Sequence, residues 1–268
     1  MRTPPGLDEA IRERGGRMAA VRARGRWSFW RVEAPEGPLL ARATRDPAEA
    51  ALLAHEAEVR RVIGDRGPLR APRVLALGAG WMLEPWIERE PWRGAAAMEL
   101  LARAAEEIAA LRLPVRSVPS LAEPALGALR RRAAMLRSPR LLRHALASRR
   151  VGARLTLPVV TAHRDLDPGN ALLADGAVWV IDWEMSGPGR AGEDLLRFWS
   201  WLEDEADRET LFEEATALVG EGWRGELERL RYVQAVRTAA DRLGGQRRTP
   251  EDAARARGLI VRLRELRP

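Results

Sequence analysis

Residues 158–183 form a strand-rich stretch in a part of the chain that is otherwise helical in pattern from Gly94 onward. At its centre Asp175-Gly176 separates two apolar runs, 171–174 and 177–181. Asp-Gly between apolar runs is the strongest short-range signal for a two-residue β-hairpin, because both central residues need positive φ. That turn fixes a register: Ala174 faces Ala177 and, counting outward, Asn170 faces Ile181. Asn170 and Asp182 therefore reach the same open end of one hairpin, and Asp165 lies on the loop that enters it.

Two carboxylates and an amide oxygen brought to one edge make a hard-oxygen site, which suits Mg²⁺ carried in with nucleotide phosphates. Phosphoryl transfer asks for little more: metal to neutralise phosphate, a carboxylate to take or orient the acceptor hydroxyl proton, and rigid positioning. On this reading Asp165 is the base, and Asn170 and Asp182 hold metal. Asn170 is also the only Asn in a chain that contains no Lys, which argues that its amide is needed. The tetrapeptide Asp167-Pro168-Gly169-Asn170 reads equally as a plain turn.

Composition removes the main alternatives. With Cys at 0, no thiolate nucleophile, thiolate zinc site or disulfide can form, and three His leave little for imidazole metal clusters. No stretch approaches the roughly 18 apolar residues of a membrane span, and residues 1–15 carry acids and prolines where a signal peptide needs an apolar run, so no membrane partner and a cytoplasmic location are expected. Every basic residue is Arg, which excludes a Walker A loop with its Lys, and neither G-x-G-x-x-G nor G-x-S-x-G is present. The net charge of +7 could mark a nucleic-acid surface. The runs Arg130–Arg132 and Arg149–Arg150, however, are interleaved with Ala and Leu at helical spacing and read as solvated helix faces, so no nucleic-acid partner is expected.

The chain divides into a β-rich part over 1–86 and a helical part over 87–268. Strands are expected at 18–24, 27–33 and 38–44, then at 73–77 and 81–87. Asp46-Pro47-Ala48-Glu49 opens a helix expected to run to Ile63. Further helices are expected over 95–111, 121–136 and 139–149, and from 192 to the end. On the helix after Pro47, Leu52, Glu56, Val59 and Ile63 share one stripe, so Glu56 sits among apolar residues. A carboxylate facing inward needs a cation, and Arg42 on the preceding strand is the natural partner. Alternatively Glu56 snorkels to water and Arg42 is a strand-edge charge.

The pattern His163-x-Asp165-x₄-Asn170 followed by Ile181-Asp182-Trp183-Glu184 resembles the catalytic loop and metal-binding strand of the aminoglycoside phosphotransferase and choline kinase superfamily, over about residues 16–245. The resemblance implies an α+β, two-lobed protein-kinase-like fold: a small antiparallel β lobe with one helix, and a larger, mostly helical lobe. It implies an ATP-dependent phosphotransferase, with Mg²⁺ and ATP, that moves the γ-phosphoryl group to a hydroxyl of a small molecule. The alternative is a catalytically silent nucleotide-binding pseudokinase. By the same resemblance His163 supports the loop, Asp165 is the base, Asn170 and Asp182 bind Mg²⁺, and Asp194 braces the loop. Arg42 and Glu56 match the family's strand–helix ion pair, with Arg where the family usually has Lys; a guanidinium is larger and forks two ways. Ser28, in Gly25-Arg26-Trp27-Ser28-Phe29, falls where the family covers the phosphates, although an ordinary hairpin turn reads as well there. Glu84 and Trp86 fall in the lobe-joining segment 82–86, whose backbone would bond adenine and where Pro85 removes one donor.

Residues 198–207 resemble the region that shapes the family's acceptor pocket. Trp199 and Trp201 beside Glu203-Asp204-Glu205 and Asp207 invite a cationic acceptor, such as an aminoglycoside or amino alcohol. The same residues also read as an amphipathic helix with Trp199 in the core. Tyr232 sits at apolar helical spacing and reads as packing.

Overall fold

Strict alternation along Trp30-Arg31-Val32-Glu33 puts Trp30 and Val32 inside and the two charges in water, so this segment is a half-buried strand. In the computed structural model the described residues are 3–24, 27–113, 133, 136, 138–244 and 249–266. Gly25 and Arg26, the run Arg130–Arg132 and most of the helix expected over 121–136 lie outside them.

The chain clusters into two compact units, Met1–Trp92 with Gly169–Ser186, and Arg93–Pro168 with Gly187–Pro268. The first contains an antiparallel five-stranded sheet in the order β1-β2-β3-β7-β6. Its strands are β1 (Arg17–Arg24), β2 (Trp27–Glu33), β3 (Leu39–Thr44), β6 (Ala76–Gly78) and β7 (Trp81–Pro85). Trp30, Val32, Ala41, Ala43 and Leu83 form one buried face, closed by Leu7 and Ile11 of α1 (Leu7–Glu13). α2 (Pro47–Ile63) follows β3 and has the expected bounds. A second sheet runs β4-β5-β10-β9, with β4 (Asp65–Arg66), β5 (Leu69–Arg70), β9 (Ala171–Ala174) and β10 (Ala177–Val180).

That second sheet explains why the hairpin clusters with the first unit although sequence order groups it with the helical part. β10 pairs in parallel with β5 through Val178↔Leu69 and Trp179↔Arg70, and Val178 N–H donates to Pro68 O at 2.8 Å. The strand expected from 73 begins at Ala76, and the preceding Leu75 already donates to Leu83 O at 2.8 Å.

The second unit holds α3 (Ala95–Ala110), α4 (Pro139–Gly152), α5 (Glu193–Trp199), α6 (Glu205–Val219), α7 (Arg224–Gly244) and α8 (Pro250–Arg262). α7 packs on α4 and α8, and α3 packs on α6. A two-stranded ribbon pairs β8 (Val159–Ala162) with β11 (Gly187–Arg190). β11 reads Gly-Pro-Gly-Arg, which carries no strand signal; a Pro is tolerated because the ribbon consists of edges. Among the described residues no helix is long and apolar enough to cross a membrane.

Candidate active site

The hairpin has the register its turn demands. Ala174 pairs with Ala177, Asp175 and Gly176 take φ of 50° and 65°, and Ile181 N–H donates to Asn170 O at 2.9 Å. Asn170 and Asp182 thus sit at one end of the same two strands. Asp182 itself is left-handed, with φ 64°, a conformation rare outside glycine that needs outside support. Glu56 of α2 supplies it by accepting the Asp182 N–H at 2.9 Å.

Glu56 is the hub of a buried ion network. Arg42 Nη2 lies 2.6 Å from Glu56 Oε2, and Arg42 Nε lies 3.2 Å from Glu84 Oε1. Arg60, one helical turn beyond Glu56, pairs with both Glu56 and Glu84 and donates to Pro72 O at 3.2 Å. All four side chains are out of water, with exposures of 8% for Arg42, 1% for Glu56, 4% for Arg60 and 2% for Glu84. Burial alone pushes Glu56 up, but Arg42 and Arg60 together bring it down to about 2. Burial likewise opposes charge on Arg42, yet Glu56, Glu84 and Asp182 raise it overall. Snorkelling of Glu56 is therefore overturned. The predicted stripe is buried at Glu56, Val59 and Ile63 and half-buried at Leu52, and Leu53 and Ala57 beside it are buried as well. Arg60 was missed, although its i,i+4 spacing from Glu56 was visible.

Glu184, two residues after Asp182, is held up to about 8 by burial first and then by the charges of Asp182, Glu49 and Glu56, against which Arg42 acts. Crowded carboxylates of this kind suit a divalent cation. Among the described residues no three His, Asp or Glu side chains form a metal cage by themselves. Mg²⁺ fits that arrangement, since it is usually held by one or two carboxylates together with substrate phosphates and water.

In the second unit the loop carrying Asp165 is pinned from behind. His163 is fully buried. Its N–H donates to Asp194 Oδ2 at 2.7 Å, and Arg164 N–H donates to Asp194 Oδ1 at 2.8 Å, with Arg164 at φ 68°. Asp194 is set at the start of α5 by Gly192, which has φ 79° and where a Cβ would come 2.7 Å from Leu227 Cδ2. Burial lifts Asp194 to about 6, against the pull of His163 and of the two amides. Asp165 Oδ1 meets Arg197 Nη2 at 3.1 Å and Arg237 Nη2 at 3.4 Å. Arg197 also pairs with Asp241 at 2.9 Å and donates to Thr238 Oγ1 at 2.9 Å, so it is fixed on both sides. Asp165 is oriented by these arginines without being sealed in, since 33% of its side chain is exposed. They lie 32 and 72 residues downstream, and no local pattern revealed them.

Other predicted residues have different occupations. Ser28 sits within β2, paired with Ala23 and Ala43. Glu84 contributes its side chain to the ion network. Trp86 N–H already donates to Pro38 O at 2.9 Å, while its indole donates to Glu88 and stacks under Arg31, so of the two residues that end this segment neither Pro85 nor Trp86 offers a spare backbone donor. The acids of 203–207 are engaged within the chain: Glu203 with Arg255, Glu205 with Arg208 and Arg262, Asp204 as the cap of α6, and Asp207 with Gly94 N–H at 2.9 Å. Trp199 is buried, as is Tyr232, whose hydroxyl donates to His144 O at 3.2 Å.

Comparison with known proteins bears on the family and the fold. The model of a phosphotransferase enzyme family, described as APH, matches residues 20–233. No curated protein matches the sequence. Among solved structures, an ethanolamine kinase from Plasmodium vivax aligns with a TM-score of 0.64 at 10% identity, covering 94% of this chain and 83% of that one. A fructosamine-3-kinase homologue from Thermobifida fusca gives 0.59 at 20% identity, covering 98% of both. A streptomycin–ATP ternary complex of the aminoglycoside phosphotransferase APH(2")-IIa gives 0.61 at 11% identity, covering 91% of both. These likenesses establish the protein-kinase-like fold.

Proposed function

From the premise that the chain belongs to the phosphotransferase enzyme family, we propose that it moves the γ-phosphoryl group of ATP to a hydroxyl of a small molecule. Asp165 takes the hydroxyl proton as the new oxygen–phosphorus bond forms and ADP leaves. Asn170 and Asp182 hold Mg²⁺, which supplies neutralisation of phosphate charge when bound. His163 and Asp194 fix the loop, and Glu56 ties the backbone of Asp182 to α2. The observation that carries this reading is the hairpin register, with Ile181 N–H bonded to Asn170 O at 2.9 Å, which keeps the amide and the carboxylate at one end of two paired strands. ATP as co-substrate is supported by the relative solved with ATP. The acceptor is a small hydroxyl compound. A positive charge on it draws no support from the acids of 203–207, because arginines and amides of the chain already occupy them.

The test is Asp165→Asn. It removes a proton acceptor and leaves the metal ligands, so turnover measured by ADP release across a panel of amino alcohols and sugars falls by about 10²–10⁴-fold while ATP binding is retained. Undiminished turnover refutes the assignment.

A further inference from the structure

We propose that the helical unit carries a second ligand site, sharing no residue with the candidate active site, that binds a small multivalent oxyanion such as a phosphate group. The site is a cavity of about 270 Å³ bounded by the segment after α5, the first turn of α6, the end of α7 and one face of α8. That volume lies just below the range of pockets for drug-sized molecules and suits a compact ligand. Four arginines line it, Arg208, Arg242, Arg255 and Arg262, against one carboxylate, Glu203.

Two of the four are buried. Arg208 and Arg242 are each 8% exposed, and the Nε–H of each has no hydrogen-bond partner among the described residues. Arg242 makes no ion pair among the described residues. Its guanidinium donates to Trp201 O at 3.1 Å and lies 4.7 Å from the centre of the Trp201 ring. A buried guanidinium served by one carbonyl and a ring is short of countercharge, and placing three further guanidinium groups around the same cavity compounds the deficit. Glu205 bridges Arg208 and Arg262, and Glu203 meets Arg255, with the exposed Glu251 4.0 Å from Arg255. None of these carboxylates forms an ion pair with Arg242 among the described residues, although Glu203, together with Asp252, lies near enough to favour its charge. Burial first and then Arg255 depress Arg242, with Arg208 adding to this against the opposite pull of Glu203 and Asp252, and burial and Arg262 depress Arg208 against Glu205 and Glu203, so the nearby acids offset burial and the like charges only in part. Guanidinium groups present paired donors in the geometry of phosphate and carboxylate oxygens, so an oxyanion answers both the charge and the unfilled N–H groups.

The full chain is titrated calorimetrically, without Mg²⁺ and at constant ionic strength, with inorganic phosphate, pyrophosphate and glycerol 3-phosphate. The expected result is saturable one-to-one binding; a preference for the ester over the inorganic ions assigns a phosphorylated metabolite, and the reverse a free anion. Arg255 is 44% exposed at the side chain, so Arg255→Gln leaves the fold intact. It weakens binding by about tenfold, the worth of one charge-assisted bond, and Arg242→Gln with Arg255→Gln abolishes it. Asp182→Ala, which removes the proposed Mg-nucleotide site, leaves the affinity unchanged. Absence of saturable binding, equal affinity in Arg255→Gln, or loss in Asp182→Ala overturns the proposal, the last by assigning the anion to the nucleotide site.

Discussion

Arg60 gives the sharpest stability prediction. It is 4% exposed and its two terminal nitrogens serve Glu56 and Glu84, so Arg60→Met leaves two buried carboxylates facing Arg42 alone. Stripping one partner from a buried ion pair costs about 3–5 kcal/mol, because an uncompensated charge stays behind. Glu56 gives an independent figure. Its shift from 4.5 to about 2 corresponds to about 3 kcal/mol of preference for the charged form in the folded state. At about 2–4 °C per kcal/mol for a chain of this size, the melting temperature in calorimetry falls by about 6–20 °C. Glu84→Gln in the Arg60→Met background removes one negative charge and restores part of the loss, so the two changes together cost less than their sum. Because the folded value of Glu56 lies below its unfolded value, this stabilisation is present above pH 4.5 and is lost as pH falls toward 2, and the acid limb of Arg60→Met is correspondingly shallower. A loss under about 1 kcal/mol, or strict additivity of the pair, refutes the view that these four residues act as one network.

Asp182→Ala is expected to abolish Mg²⁺-dependent nucleotide binding in calorimetry while Mg²⁺-independent binding persists; a variant whose nucleotide affinity still rises with Mg²⁺ as it does in the wild type removes Asp182 from the metal site. Arg197→Met frees Asp165 from its best-anchored partner, and turnover should fall with little change in KM, since the carboxylate keeps its chemistry and loses its aim; a KM effect alone contradicts an orienting role. Asp194 behaves oppositely to Glu56. Its folded value of about 6 lies above the usual 3.8, so its contribution is complete below pH 3.8 and is lost as pH rises through 6. Urea midpoints for the wild type should therefore drop between pH 4.5 and 7 relative to Asp194→Asn, by an amount corresponding to about 2 kcal/mol; a constant difference across that range removes the titration from Asp194.

What the sequence revealed was what short-range chemistry dictates. Asp175-Gly176 set the hairpin register, Pro47 after Asp46 set the start of α2, and alternation set β2. What it hid was long-range or lacked a local signature. The partner of β10 is β5, two residues long and more than a hundred positions earlier, and nothing in 65–70 marks a strand pair beyond Gly67-Pro68. β11 contains Pro188 between two glycines and pairs only because β8 has a free edge. Arg60 was within reach, since an acid and an arginine four apart on a buried face call for each other. Arg60 lies on the same buried face as Glu56, Val59 and Ile63, so Glu56 has a cation from its own helix as well as Arg42 from β3.

The acids of 203–207 show why composition near a site does not identify its ligand. Read along the chain, Glu203-Asp204-Glu205 beside Trp201 is a cation-seeking rim. In the fold each of those acids meets a donor of the chain itself: Arg255 and Arg262 from α8 for Glu203 and Glu205, Arg208 three residues on for Glu205, and the Asp207 amide for Asp204. The Trp faces are taken in the same way, with Arg208 and Arg231 over Trp199, and Arg197 and Arg242 over Trp201. Of the arginines that line the cavity, Arg208, Arg255 and Arg262 each have a carboxylate partner, whereas Arg242 makes no ion pair among the described residues, so the group left without a paired countercharge is a cation. A ligand drawn to this part of the molecule by electrostatics is accordingly an anion, and a cationic acceptor would need carboxylates elsewhere in the chain.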